Sequence, residues 1–321
     1  MRGLVGALGA GCAFVFAASG LAAPAGTPEP QPVRASVLFS QYDVRSASFT
    51  ADENTVYFVV KIAEYRQGIF VSHRSVNGWS EPELLPIAGV NNSRSHMAAT
   101  APRSPFITPD GLRLFYADRQ PGHPDLDIWE MDTTVDGWGA PRVLRTDVNS
   151  SFDDTSPWLA PSGRLYFASA RSGGFDLYSA EPAAKGFGAV HALTNVNTNA
   201  AELEATVSPD EQILVFTASG RPEELELPGA VYPRPDLYIS RKIGNAWQPP
   251  QHLPAPINTG ATEAAPAFSA DGHWLYFMSE RQFAMNDQPL EYRELRRRLA
   301  QPRSGNGNIY RVPTFALGAT R

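Results

Sequence analysis

The sequence predicts an all-β fold, a five-bladed β-propeller whose ring is closed by an N-terminal strand completing the last blade. Three observations predict it. One tight turn recurs five times, as Thr50-Ala-Asp-Glu, Thr108-Pro-Asp-Gly, Ala160-Pro-Ser-Gly, Ser208-Pro-Asp-Glu and Ser269-Ala-Asp-Gly. An apolar, aromatic run follows each turn: Val56-Tyr-Phe, Leu114-Phe-Tyr, Leu165-Tyr-Phe, Leu214-Val-Phe and Leu275-Tyr-Phe. Apolar residues hardly ever recur at the 3.6-residue spacing of a helix, and turn signals are too frequent for one.

Each element of the repeat has a physical reading. Proline in the second turn position presets φ, aspartate in the third can bond the local backbone, and glycine is the usual exit. The aromatic run reads as a buried strand. A third strand begins at Gly68-Ile-Phe, Asp127-Ile-Trp, Asp176-Leu-Tyr, Asp236-Leu-Tyr and Asn308-Ile-Tyr. A fourth element spaces an aromatic, a proline or valine, and a leucine, as in Trp138/Pro141/Leu144 and Phe187/Val190/Leu193. A dipeptide then restarts the cycle: Val90-Asn91, Val148-Asn149, Val196-Asn197 and Ile257-Asn258. Four short strands at a period of roughly 50–60 residues mark a propeller blade, and blades must stack to bury both faces.

The fifth repeat lacks its fourth strand, because the chain ends soon after Tyr310. Val33, Ala35, Val37 and Phe39 alternate with polar residues, so the segment 33–39 is expected to complete that blade and remove the exposed edge. The expected blades are 40–90, 91–147, 148–195, 196–256 and 257–315, within one domain spanning 26–321.

The N-terminal segment stands apart. Arg2 precedes an uncharged apolar run from Leu4 to Leu21, then small residues and a Pro-rich stretch. This is the layout of a secretory signal peptide over 1–25. A membrane anchor is the alternative, but the run is near the minimum spanning length and diluted by Gly and Ala. No later segment is apolar enough to cross a membrane. Cys12 is the only cysteine, so the mature chain is expected to have no disulfide and to reside in a periplasm or outside the cell. With 43% hydrophobic and 19% charged residues, the chain can form a real core. The net charge of −6 argues against a nucleic-acid binder, which needs a basic stripe.

The repeat resembles the TolB-type, WD-like propeller repeat of exported bacterial proteins. Blade three carries most of that pattern: Val148-Asn149, Asp154, Pro157, Ala160-Pro-Ser-Gly, Tyr166-Phe167, Ser169-Ala-Arg171 and Asp176-Leu-Tyr178. The resemblance covers nearly all of the expected mature chain and implies fold far more than function. Blade one departs from it, with Val44 near the expected acid and Ile62 near the expected arginine. The chain has only a few residues between the expected signal peptide and the first strand, where TolB itself carries an α/β domain, so it is expected to differ from TolB.

In a propeller the strand 1–2 and 3–4 loops share one face, and the 2–3 and 4–1 loops share the other. The recurring turns are short and uniform, so their face reads as structural. The 2–3 loops vary: blade four inserts 221–235 and blade five inserts 281–307. The 4–1 loop before blade two is also longer, since Asn91 lies 17 residues before Thr108, against 11 at the corresponding point of blades three to five. Long, variable loops on one face of a rigid scaffold are the usual place of function. The blade-five insert is expected to hold a short helix, 289–300, with Tyr292, Leu295 and Leu299 on one face and Glu294 pairing with Arg298. Arg293, Arg296, Arg297, Arg298 and Arg303 make it basic, and Glu223, Glu224 and Glu226 make the blade-four insert acidic. The pattern fits a docking surface, or two solvated loops paired with one another.

Five residues past each asparagine stand His96, Asp154, Glu202 and Glu263, at the start of an innermost strand. If the blade-two insertion precedes His96, Pro102 takes that column instead. Three acids and a histidine around one axis could hold a divalent cation, or act as acid and base in a carbohydrate-active hydrolase or lyase. The repetition itself favours a structural task, each acid bonding the backbone or an arginine of a neighbouring blade (Arg119, Arg171 or Arg281). No cofactor is otherwise expected, and no nucleophile elbow, zinc helix or phosphate loop is present in the sequence. The resulting expectation is a monomeric, non-catalytic module that binds a cell-envelope protein or glycan through its variable face.

Overall fold

The computed structural model describes residues 27–33, 42–63, 66–85, 87, 102–144, 147–222, 234–282, 291–299, 301 and 304–318. Their strands form five antiparallel sheets. The innermost strands are Asp43–Phe49, Arg103–Ile107, Asp154–Leu159, Ala201–Val207 and Glu263–Phe268. Each packs against the next, and the last returns to the first, so the sheets close a five-bladed propeller.

The recurring turn forms as its residues dictate. The fourth residue donates its N–H to the first residue's carbonyl, as Gly111 to Thr108 (2.8 Å) and Gly272 to Ser269 (2.9 Å). The third-position aspartate accepts the first residue's hydroxyl, as Asp110 from Thr108 at 2.6 Å, and the next N–H, from Leu112 at 3.0 Å.

The aromatic doublets explain how one strand buries both of its faces. Successive side chains point to opposite faces, so Tyr57 packs toward blade two while Phe58 packs toward blade five. Tyr166 and Phe167 divide in the same way between blades four and two. The result is an apolar layer at each of the five blade–blade seams. The fourth strand is broken wherever proline interrupts it: Gly137–Trp138 and Arg142–Val143 flank Pro141. Blade three has Val190 there and runs unbroken over Gly186–Ala192, because proline lacks the N–H that the ladder needs.

The ring is closed by the N-terminal strand, and its described pairing begins ahead of residue 33. Gln31–Pro32 pairs with Asn308–Pro313, matching Gln31 to Arg311 and Pro32 to Tyr310. Val33 adds an N–H bond to the Ile309 carbonyl at 3.0 Å and is buried in the blade five–one seam. Residues 34–39 lie outside the described residues, as does the expected signal segment 1–25.

Candidate functional site

The acid column lies six residues ahead of each recurring turn and reads Val44, Pro102, Asp154, Glu202, Glu263. The bulge in each innermost strand fixes this alignment. Its left-handed residue is Ser104, Ser156, Glu204 or Ala265, two residues past the column in blades two to five. Pro102 therefore takes the blade-two position and the insertion precedes it. His96 lies outside the described residues.

The three acids are fully buried and similarly bound. Asp154 accepts the Ser150 hydroxyl (2.8 Å) and Arg171 Nη2 (2.9 Å). Glu202 accepts the Thr198 N–H (3.1 Å), its hydroxyl (2.6 Å) and Arg221 Nη2 (2.8 Å). Glu263 accepts the Thr259 N–H (2.8 Å) and the Ser279 hydroxyl (2.5 Å), with Arg281 Nη2 3.5 Å away. Each guanidinium also reaches a carbonyl of the preceding loop, as Arg221 to Val196 (2.9 Å) and Arg281 to Ile257 (2.8 Å). It lies over two aromatic rings of its own blade, for Arg221 those of Phe216 (5.4 Å) and Tyr238 (4.7 Å).

Two sequence expectations are corrected here. The arginine belongs to the acid's own blade, not a neighbouring one, because the second strand runs antiparallel to the first and ends beside the acid. In blade four that arginine is Arg221. Arg119 instead donates Nε to the Pro124 carbonyl at 2.7 Å.

The neighbouring asparagine has an equally local task. Asn197 accepts the Leu177 N–H and donates to the Leu177 carbonyl, both at 2.9 Å, and Asn258 does the same to Leu237. The amide thus stands in for a strand residue and ties each loop to the blade before it. Together, acid, arginine and asparagine form a repeated structural clamp. Burial still raises the Glu263 carboxyl above its ordinary value, opposed by Ser279 and Arg281.

A further acid, absent from that column, lies on the axis. Glu204 lies at a bulge with φ of 51°. It lines a constriction of about 40 Å³ with Ser46, Ser104, Ser156 and Ala265. Its carboxylate accepts the Ala265 N–H (2.8 Å) and the Thr217 hydroxyl (3.0 Å), joining blade four to blade five. Burial raises its pKa, opposed by those bonds and by Arg103 and Arg45. Arg45 is itself held by Asp43 (2.5 Å) and Glu280 (2.6 Å). The sequence signal for Glu204 was the break in the bulge column, where the other blades carry small residues.

The raised Glu204 pKa has a pH consequence. Below the ordinary glutamate value of about 4.3 both states hold the proton, and the stability tied to it is fully present. That stability is lost as pH rises through the folded-state pKa. Glu204→Gln keeps an acceptor without the charge. It is expected to match or exceed the parent in urea midpoint at about pH 8, the difference vanishing near about pH 4. A larger loss at high pH would mean that Arg45 and Arg103 more than compensate the buried charge.

On the variable face, the blade-five helix forms over Tyr292–Leu299. Glu294 pairs with Arg297 and Arg298, each at 2.8 Å, which holds its carboxyl down at about 2. Tyr292 is 74% exposed, and Arg293 and Arg296 are exposed beside it. Arg303 and Glu223, Glu224 and Glu226 lie outside the described residues. Among the described residues, no group of three His, Cys, Asp or Glu is placed to hold a metal, and no helix is long and apolar enough to cross a membrane.

The chain matches no protein-family profile and no curated protein. It is similar to solved propeller structures. TolB from Acinetobacter baumannii is 16% identical over 85% of this chain and 55% of its own, with a TM-score of 0.47. A putative TolB from Agrobacterium tumefaciens is 14% identical over 85% of this chain and 90% of its own, also at 0.47. Hydrazine synthase from Kuenenia stuttgartiensis is 11% identical over 86% of this chain and 41% of its own, at 0.50. The chain thus spans about half the length of the first of these. At such identities the likeness is one of fold.

Proposed function

We propose that the chain is an exported, non-catalytic binding propeller that holds a cell-envelope protein or glycan on its long-loop face. The observation that carries this reading is the state of the axial acids. Asp154, Glu202 and Glu263 are each engaged by an arginine and by a serine or threonine of the same blade. Buried acids whose hydrogen bonds are made within their own blade fit a structural task better than a reacting one. Among the described residues no two of them face each other unpaired across a cleft, so the hydrolase or lyase reading gains no support.

The exposed aromatic-arginine helix offers the opposite character. Tyrosine and arginine are enriched in the energetic centres of interfaces, and Arg293 and Arg296 favour a partner with anionic groups. Export rests on the N-terminal segment of the sequence.

A photo-crosslinker at Tyr292 in the full chain, expressed in an envelope-bearing host, is expected to capture a discrete partner. Arg293→Glu with Arg296→Glu should abolish that capture. Capture unchanged by the double charge reversal would sink the assignment of the site to this helix.

A further inference from the structure

The face that carries the short recurring turns holds a cavity of about 310 Å³ on the axis. This lies at the small end of the range for ligand sites. Its walls are apolar and aromatic: Phe49, Phe106, Trp158 and Phe268, with the turn prolines at its mouth. The rings of Phe106 and Trp158 lie 4.6 Å apart, tilted by 56°. Trp158 also borders the axial constriction beyond, so its indole separates the two spaces and forms the cavity floor. It is only partly buried, although it packs against four of the five seams. A large apolar ring left partly open at the bottom of a preformed pocket is a surface for a ligand.

The mouth sets the sign of that ligand's charge. Four of the five turns carry an aspartate, Asp52, Asp110, Asp210 and Asp271, and Asp110 lines the cavity. Hydrogen bonds from Thr50, Thr108 and Ser269 hold the carboxyls of Asp52, Asp110 and Asp271 below their ordinary value, Asp271 at about 2. They are therefore ionised at neutral pH. The cations of the turns are turned to other acids: Arg113 to Asp132 (3.0 Å) and Arg164 to Glu181 (2.7 Å). His273 contacts Asp271 itself (2.8 Å). An anion is repelled here, whereas a cation gains both this field and the aromatic faces.

We infer that this cavity binds a small organic cation with an apolar body, of the alkyl- or arylammonium class. The body lies on Trp158 and Phe106, and the charged head points toward Asp110 and the mouth. This site is independent of the long-loop face, and neither reading depends on the other.

Calorimetric titration of the full chain with three probes tests it: benzyltrimethylammonium, benzyl alcohol and phenylacetate. The cation is expected to bind about tenfold more tightly than the neutral probe, and the anion not to bind. Trp158→Ala should weaken the cation about tenfold. Asp110→Asn should weaken the cation and leave the neutral probe unchanged. Ala270→Trp serves where Trp158→Ala alters folding. Ala270 is an exposed turn residue at the cavity rim, so the larger side chain obstructs the mouth without touching the core, and should abolish binding. No binding of the cation, equal binding of cation and neutral probe, or cation binding that survives Ala270→Trp would each overturn the inference.

Discussion

Arg221→Ala is expected to destabilise the propeller by about 3–5 kcal/mol, the range for removing one partner of a buried ion pair. Glu202 is fully buried and the Arg221 side chain is only 8% exposed. Without the guanidinium, Glu202 keeps the Thr198 N–H and hydroxyl but loses the charged bond from Arg221, and the Val196 carbonyl loses a donor. The arginine stem and its stacking on Phe216 and Tyr238 go as well. The double variant Glu202→Gln, Arg221→Met removes both charges, fills much of the same space and should recover a large part of the loss. Urea midpoints of the parent, Glu202→Gln, Arg221→Met and the double variant close the cycle. A cost of Arg221→Ala below about 1 kcal/mol would place the pair among weak surface contacts and return Glu202 to the candidates for acid chemistry.

Much of this arrangement was legible in the sequence because repetition exposes it. The turn, the aromatic doublet and the Val-Asn dipeptide each meet the same need in successive blades, so each recurs and can be read without coordinates. The dipeptide's meaning was not legible. Asn197 and Asn258 bond backbone about twenty residues upstream, a relation no local pattern reports. The acid's partner was misplaced for a similar reason. Its spacing is regular, but only the antiparallel return of strand two shows that Arg171 and Arg281 stay in their own blade. Glu204 escaped because it departs from the repeat at a position whose channel-facing role emerges only when five bulges meet on the axis. The cavity escaped for the opposite reason. Its turns are uniform and read as structural, yet the residues just before them, Phe106 and Trp158, are the irregular ones.

The seam that joins the two ends of the chain should be the most sensitive to added bulk. At two of the other joints, a carbonyl just ahead of strand three accepts the N–H of the next blade's acid: Phe175 from Glu202 and Pro235 from Glu263, both at 2.9 Å. The corresponding carbonyl at the blade five–one joint is that of Gly307, which accepts the Val44 N–H at 3.0 Å. A Cβ on Gly307 would lie 2.2 Å from the Val44 carbonyl oxygen and 3.1 Å from Asp43 Oδ1. Neither the carbonyl nor the innermost strand behind it can yield without moving the ring. Gly307→Ala is therefore expected to cost about 3 kcal/mol, as for strained overpacking. Gly174→Ala, where an added Cβ meets nothing within 4 Å, should change stability by less than about 0.5 kcal/mol. The loss should also be local before it is global. Hydrogen exchange in Gly307→Ala should accelerate first in Asp43–Phe49 and Asn308–Pro313, while Leu165–Ser169 and Ile213–Ser219 stay protected. Uniform acceleration across all five blades would instead show that the ring opens as one cooperative unit, with no weak seam where its ends meet.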